Sequence, residues 1–174
     1  MKKDRKNIIL ESLAAMLEEK NMSKITTASL AEKSNITEAA LYRHFPSKRS
    51  IYAELFSFCD DTIFAKCNEL KKEKISAQEK VKKIFIFFML FIEKNKGFAR
   101  LLSREALSSA EQNVSDNVNQ FYERFELVLR QMLKEDEKNL TTQAGISAQL
   151  IITVLEGNIG RYIRSKFKDS PSTY

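Results

Sequence analysis

A chain of 174 residues, 43% hydrophobic and 30% charged, is long enough for one ordinary domain or for a small head fused to a larger body, with no need of disulfide or metal staples. Four glycines and two prolines are too few breakers for a turn-rich β architecture, so an all-α fold is expected. The net charge is +6, and the basic start Met1-Lys2-Lys3-Asp4-Arg5-Lys6 leads into an amphipathic helix rather than an export signal, which makes a cytoplasmic protein the expectation.

The first helix is expected from about Asp4 to Lys20, where Ile9, Leu13, Met16 and Leu17 form one apolar stripe at helical spacing. Residues 25–48 then read as two short helices joined by a four-residue turn, the pattern of a DNA-binding helix-turn-helix. Thr27 is expected to cap the first, Asn35 to take the left-handed conformation of a sharp turn, and Thr37 to cap the second. Ile25, Leu30, Ala31, Ile36, Leu41 and Phe45 supply the apolar side that locks the pair together. Residues 1–52 carry ten Lys and Arg against six Asp and Glu, a local excess that suits phosphate attraction.

A recognition helix of roughly Glu38 to His44 puts its leading residues nearest the base edges and its flanks nearest the phosphates. Thr37, Ala39 and Ala40 offer a hydroxyl and methyl surfaces that suit thymine, and Glu38 can accept from a cytosine amino group. Arg43 reaches a phosphate or a guanine, or else is a solvated surface charge. His44 is the only histidine in the chain, and a lone histidine is more often a packing residue than a functional one.

Ser47 is expected to cap a fourth, longer helix reaching about Lys72, with Ile51, Leu55, Phe58, Thr62, Ala65 and Leu70 on its apolar side. Cys59 and Cys67 are about 12 Å apart along its axis, too far to bridge. Without a nearby histidine they make no metal site and read as buried or half-buried thiols. Ser76 caps a fifth helix to about Asn95, ended by Lys96-Gly97. Within it the apolar run Ile84–Ile92, four of whose residues are phenylalanines, is far short of the roughly 20 residues a bilayer needs, so it is buried core or the wall of a cavity.

A shorter piece from Phe98 to about Ser108 precedes two long helices. The first carries Val118, Phe121, Tyr122, Phe125, Val128, Leu129, Met132 and Leu133. The second, from about Thr142 to Phe167, carries Ile146, Leu150, Ile151, Val154, Leu155, Ile159, Tyr162 and Ile163, with Ala148, Gly157 and Gly160 where another helix can come close. Two helices from each of two copies would form a four-helix bundle; the alternative is that both stripes close the chain's own core. No glycine-rich phosphate loop, second histidine or paired pocket carboxylates mark an enzyme, and no cofactor or metal is called for; Asp60-Asp61 and Asp136-Glu137 read as solvated surface.

The run Leu41-Tyr42-Arg43-His44-Phe45-Pro46-Ser47-Lys48 closely resembles the signature of the tetracycline-repressor (TetR) family. The wider stretch from Ile25 to Phe45, Glu93-Lys94-Asn95-Lys96-Gly97, Phe121-Tyr122-Glu123-Arg124-Phe125-Glu126 and the segment from Glu156-Gly157 to Lys168 are similar to one branch of it, the SlmA-type nucleoid-occlusion factors. The resemblance implies a TetR-like all-α fold, with a three-helix head over residues 1–50 and a helical dimerisation body over 51–174. It implies a nucleoid-associated homodimer on palindromic double-stranded DNA that binds the division protein FtsZ and opposes the division ring. Most members of the wider family are instead ligand-released transcriptional repressors, which is the alternative.

By the same resemblance Tyr42, His44 and Lys48 are phosphate contacts, and Thr26 and Thr27 add hydroxyl or amide donors. The partner's tail would dock between the fourth and fifth helices at Phe58, Lys66, Phe87, Leu90, Lys94 and Asn95, an apolar floor edged by cations that suits an extended acidic peptide. Phe87 and Leu90 are bulkier than that pattern and narrow the groove; the bland alternative is core residues with solvated lysines. The chain ends at Pro171-Ser172-Thr173-Tyr174, where the branch continues into one more helix whose absence would expose apolar surface and weaken the dimer.

Overall fold

The computed structural model describes residues 4–19 and 25–172. Met1-Lys2-Lys3, the expected helix end at Lys20 and the final Thr173-Tyr174 lie outside the described residues. The described chain is all-helical and without strands: α1 Arg5–Glu18, α2 Thr27–Lys33, α3 Glu38–His44, α4 Lys48–Lys71, α5 Ala77–Lys94, α6 Lys96–Leu102, α7 Gln112–Lys134 and α8 Ala144–Arg164. It forms two compact units. The first combines the segment up to Cys59 with Asn95–Asp116; the second combines Asp60–Lys94 with the segment from Asn117 onward.

In the first unit α1 buries Ile9, Leu13 and Leu17 completely, while Met16 is only half-buried. This face packs against α2, α3 and, most extensively, α6. Lys96-Gly97 does not end α5 as expected: α5 stops at Lys94, Asn95 breaks the path at φ −127° and ψ 67°, and Lys96 opens α6. Gly97 has no positive φ; its role is close approach. A Cβ there would stand 3.0 Å from the Ala14 carbonyl oxygen and 3.1 Å from Leu17 Cβ, tighter than a helix backbone tolerates without shifting. Arg100, buried on α6, donates to the Leu17 carbonyl at 2.6 Å and also to that of Glu19, occupying carbonyls that the end of α1 leaves without helical partners.

The buried face of α4 differs from the expected one. Ile51, Tyr52, Leu55, Phe56, Cys59, Ile63, Cys67 and Leu70 are inside, whereas Phe58 is 65% exposed, Ala65 is exposed and Thr62 half-buried. Phe58 is the larger side chain, but Cys59 and Cys67 share the helical face of Tyr52, Phe56 and Ile63, and that face turns inward. Both thiols are buried, and neither is in a disulfide. Burial pushes the Cys67 thiol up to about 11, against the pull of Lys71. Ser47 caps as expected: the Ser50 amide donates to its hydroxyl at 3.1 Å, and the Ser47 amide to Ser50 Oγ at 3.2 Å.

The core of the second unit is aromatic. Phe88 stacks on Phe121 and Phe125 with ring centroids 6.1 and 5.4 Å away, and Phe64 meets the same two rings edge-on at 5.7 and 6.2 Å. The apolar run of α5 is therefore only partly interior: Ile84, Phe88, Met89 and Ile92 are buried, but Ile86 and Leu90 are exposed. The α7 stripe closes the chain's own core, since Val118, Phe121, Tyr122, Phe125, Leu129, Met132 and Leu133 are all buried. On α8, Ala148, Ile152, Leu155, Ile159 and Tyr162 turn inward, while Ile146, Leu150 and Val154 remain at least half exposed.

Of the two acidic pairs, only Asp60 departs from the solvated surface the sequence suggests; Asp61 and Glu137 are exposed and Asp136 is half-buried. Asp60 is buried and pairs with Arg124, whose guanidinium also lies 4.4 Å over the Phe64 ring; a buried carboxylate needs such a partner. Glu137 accepts from the Ala144 amide at 3.1 Å at the start of α8. The far end of α8 closes in a Schellman turn, Lys166 at φ 56° and the Phe167 amide reaching back to the Tyr162 carbonyl at 2.8 Å. Among the described residues no helix is long and apolar enough to cross a membrane.

Candidate nucleic-acid interface

The first capping residue is Thr26 rather than Thr27. Thr26 is extended, at φ −113° and ψ 165°, and its hydroxyl accepts from the Ser29 amide at 3.1 Å while Ser29 Oγ accepts from the Thr26 amide at 2.9 Å. Thr27 already lies in the helix, so its hydroxyl is released for another role. It donates to the Glu38 carboxylate on α3 and accepts from the Tyr42 hydroxyl at 3.5 Å. Three of the expected contact residues are thereby linked across the two short helices.

The turn between them is a Schellman motif. Asn35 stands at φ 52°, its amide reaches the Glu32 carbonyl at 3.0 Å, and the Ile36 amide reaches the Ala31 carbonyl at 3.0 Å. Thr37 then caps α3, accepting from the Ala40 amide at 3.2 Å. Leu30, Leu41 and Phe45 are buried beneath, with Ile36 half-buried. That leaves Glu38, Ala39, Tyr42 and Arg43 exposed on α3, Thr26 and Thr37 exposed at the caps, and Thr27, Ala40, His44 and Lys48 half-buried. A short helix held this way presents side chains to a duplex without moving its own backbone.

Lys48 is less free than its sequence position suggests. Its ammonium lies 3.5 Å from a Glu111 carboxylate oxygen and 5.2 Å over the Tyr52 ring. Glu111 is 2% exposed and belongs to a short 3-10 turn, Ser109–Glu111, where it also accepts from the Ser108 amide at 3.0 Å and from the Ser108 hydroxyl. Burial pushes its carboxyl up, but the Ser108 hydroxyl and amide and the Lys48 ammonium together hold it below the usual carboxylate range. Burial raises the Tyr52 phenol, and Glu111 adds to that. Sequence reasoning missed Glu111; its one local signal was the Ser-x-x-Glu spelling of a capping box at Ser108.

The six expected partner residues divide between the units. Phe58 and Asn95 line one cleft of the first unit, of about 320 Å³, together with Glu11 and Glu18. Glu11 and Glu18 on α1 are exposed beside it. In the second unit the Lys66 ammonium sits 6.0 Å over the Phe87 ring and 2.8 Å from Glu69. Leu90 lines a separate cleft there with Ile86 and Val154, and Lys94 is exposed at the end of α5. Among the described residues no group of three His, Cys, Asp or Glu side chains gathers to hold a metal.

Residues 9–55 match the model of the tetR family of bacterial regulatory proteins, and residues 76–174 match the SlmA-like model of tetracyclin repressor-like C-terminal domains. The nucleoid occlusion factor SlmA of Vibrio vulnificus is 35% identical over 98% of this chain and 90% of its own length; that of Salmonella dublin is 36% identical over 98% and 89%. Among solved structures, the fatty acid degradation regulator FadR of Bacillus halodurans superposes with a TM-score of 0.78 over 99% of this chain and 91% of its own at 13% identity. A TetR transcriptional regulator from Legionella pneumophila does so with 0.74 over 95% and 90% at 21% identity. At those identities the superpositions speak for the fold.

Proposed function

We infer that this chain, which belongs to the TetR family of DNA-binding regulators and carries an SlmA-like C-terminal domain, is a nucleoid-occlusion factor: bound as a homodimer to palindromic DNA, it engages FtsZ and opposes division-ring assembly over the chromosome. The observation that carries this reading is the match to nucleoid occlusion factors over 98% of the chain, head and body alike. A repressor that shared only the DNA-binding head would not extend that likeness through residues 76–174.

Each protein surface has a part in this reading. Thr37, Glu38, Ala39, Ala40 and Arg43 address base edges; Thr26, Thr27, Tyr42, His44 and Lys48 hold the phosphates and set the register. The bare side of α8, with Ile146, Leu150 and Val154, receives the same side of a second copy, and Gly157, with nothing within 4 Å of where a Cβ would be, lets the two backbones approach. Phe58, Lys66, Phe87, Leu90, Lys94 and Asn95 serve the partner. The protein works in the cytoplasm, on the nucleoid.

The test is a pull-down of FtsZ by the purified chain with and without a specific palindromic duplex. Capture that rises with the duplex supports the reading. No capture in either arm, with an operator complex that a small molecule dissolves, establishes the ligand-released repressor instead.

A further inference from the structure

Lys48 and Arg49 open α4, the end of a helix that least tolerates cations. The macrodipole puts partial positive charge at a helix N-terminus and favours acids there, yet the first turn of α4 holds no acid of its own. For Lys48 the acid comes from elsewhere in the chain, since Glu111 lies 3.5 Å from its ammonium. Arg49 is held by the residue just before Glu111: its Nε donates to the Ala110 carbonyl oxygen at 3.0 Å. That acceptor is neutral, and among the described residues no carboxylate pairs with the exposed Arg49 guanidinium. Two like charges next to each other in sequence are thus gripped by consecutive residues of one 3-10 turn, Ser109–Glu111. The second of them keeps an unbalanced charge at a position where the helix itself disfavours one.

We propose that Arg49 is a further DNA-contact residue, a phosphate ligand beside Lys48, and that the Ser109–Glu111 turn holds the two cations as a pair against the duplex backbone. Tying Nε to a carbonyl leaves the terminal nitrogens of the guanidinium, the fork that pairs with a phosphate. A side chain already fixed in this way gives up less freedom when the phosphate arrives. The buried Glu111 carboxylate offsets the repulsion between the two cations, so both can face the same backbone. This role rests on the DNA-binding reading above and brings into it a cation and a turn that lie outside the helix-turn-helix.

The experiment measures affinity for a random duplex and for a palindromic duplex selected from a random pool, across about 50 to 200 mM salt. Arg49→Ala, at an exposed position and checked for an unchanged melting curve, is expected to weaken both duplexes by the same factor, about tenfold. It also lowers the slope of log affinity against log salt by about 1, and the Lys48→Ala, Arg49→Ala double variant lowers it by about 2. Arg49→Lys keeps the charge and the parent's slope. An Arg49→Ala slope equal to the parent's overturns the contact, and a loss confined to the palindrome makes Arg49 a base reader instead. In the isotope-labelled free chain the Arg49 Nε–H signal, identified by its loss in Arg49→Lys, stands apart from those of solvated arginines; coincidence with them overturns the hold by Ala110. A parent that binds neither duplex removes this role together with the DNA-binding reading, whereas failed FtsZ capture alone removes only the division-inhibitor reading.

Discussion

The ammonium of Lys48, which opens α4, lies 3.5 Å from a carboxylate oxygen of the buried Glu111, so the cation next to the recognition helix is held by an acid from a distant part of the sequence. Breaking a buried pair from one side leaves a charge or a dipole uncompensated. Glu111→Gln is therefore expected to destabilise the fold by about 1–3 kcal/mol at neutral pH, measured by urea unfolding. The carboxyl is held below its ordinary range, so its contribution is complete above the unfolded-state carboxylate pKa, about 4.3, and is lost as pH falls through the lower folded value. The stability gap between parent and variant should stay constant from pH 7 to about 5 and close below that; a gap that widens on acidification would refute the assignment.

Lys48→Ala and Thr26→Ala are both expected to weaken binding to all duplexes alike, because phosphate contacts carry no sequence information. They part company on two measurements. Loss of Lys48 lowers the slope of log affinity against log salt by about 1, whereas loss of the Thr26 hydroxyl leaves the slope unchanged. Thr26 is also the cap of α2, so its removal costs about 1 kcal/mol of fold stability. A Lys48→Ala variant with the parent's salt slope would show that Glu111 keeps the ammonium from the phosphates.

The helix-turn-helix was legible because its signals are local. Asn35 and Thr37 do what their side chains dictate within four or five residues, and only the first cap differs from its expected place, by one position, because Thr26 and Thr27 are chemically equivalent in sequence. Across longer distances the sequence is silent. Nothing near Glu111 announces Lys48, nothing near Asp60 announces Arg124, and nothing near Phe58 announces Glu11 and Glu18, which α1 brings to the same cleft. Periodicity also cannot say which side of an apolar helix meets its own core: α7 buries its stripe, while α8 leaves half of one bare.

Two glycines in helices are expected to respond oppositely to alanine. At Gly97 a methyl group meets the Ala14 carbonyl at 3.0 Å, part of a helix that cannot yield cheaply. Overpacking there costs about 1–3 kcal/mol, more than the roughly 1 kcal/mol gained in helix propensity, so Gly97→Ala should lower the melting temperature. Gly157 has open space around it, so in the isolated chain the same change should stabilise by about 1 kcal/mol. If the second copy packs there, Gly157→Ala instead weakens self-association, and thermal melts at two protein concentrations separate the effects.

Leu150, 57% exposed between Ile146 and Val154, gives the sharpest test of the dimer. The three lie at helical spacing on α8, and isolated apolar residues on a surface are ordinary, whereas a row of them two turns long is a contact in waiting. Burying one leucine at a dimer contact contributes about 1.5–3 kcal/mol, and a two-fold contact uses it twice. Leu150→Lys should thus weaken dimerisation by at least a hundredfold in sedimentation equilibrium while leaving helical content and the urea midpoint of the monomer unchanged, because the site adds nothing to the chain's own core. An unaltered dimer would move the interface elsewhere; a parent chain that is monomeric at every concentration would abolish it, and with it the matched pair of recognition helices that a palindrome requires.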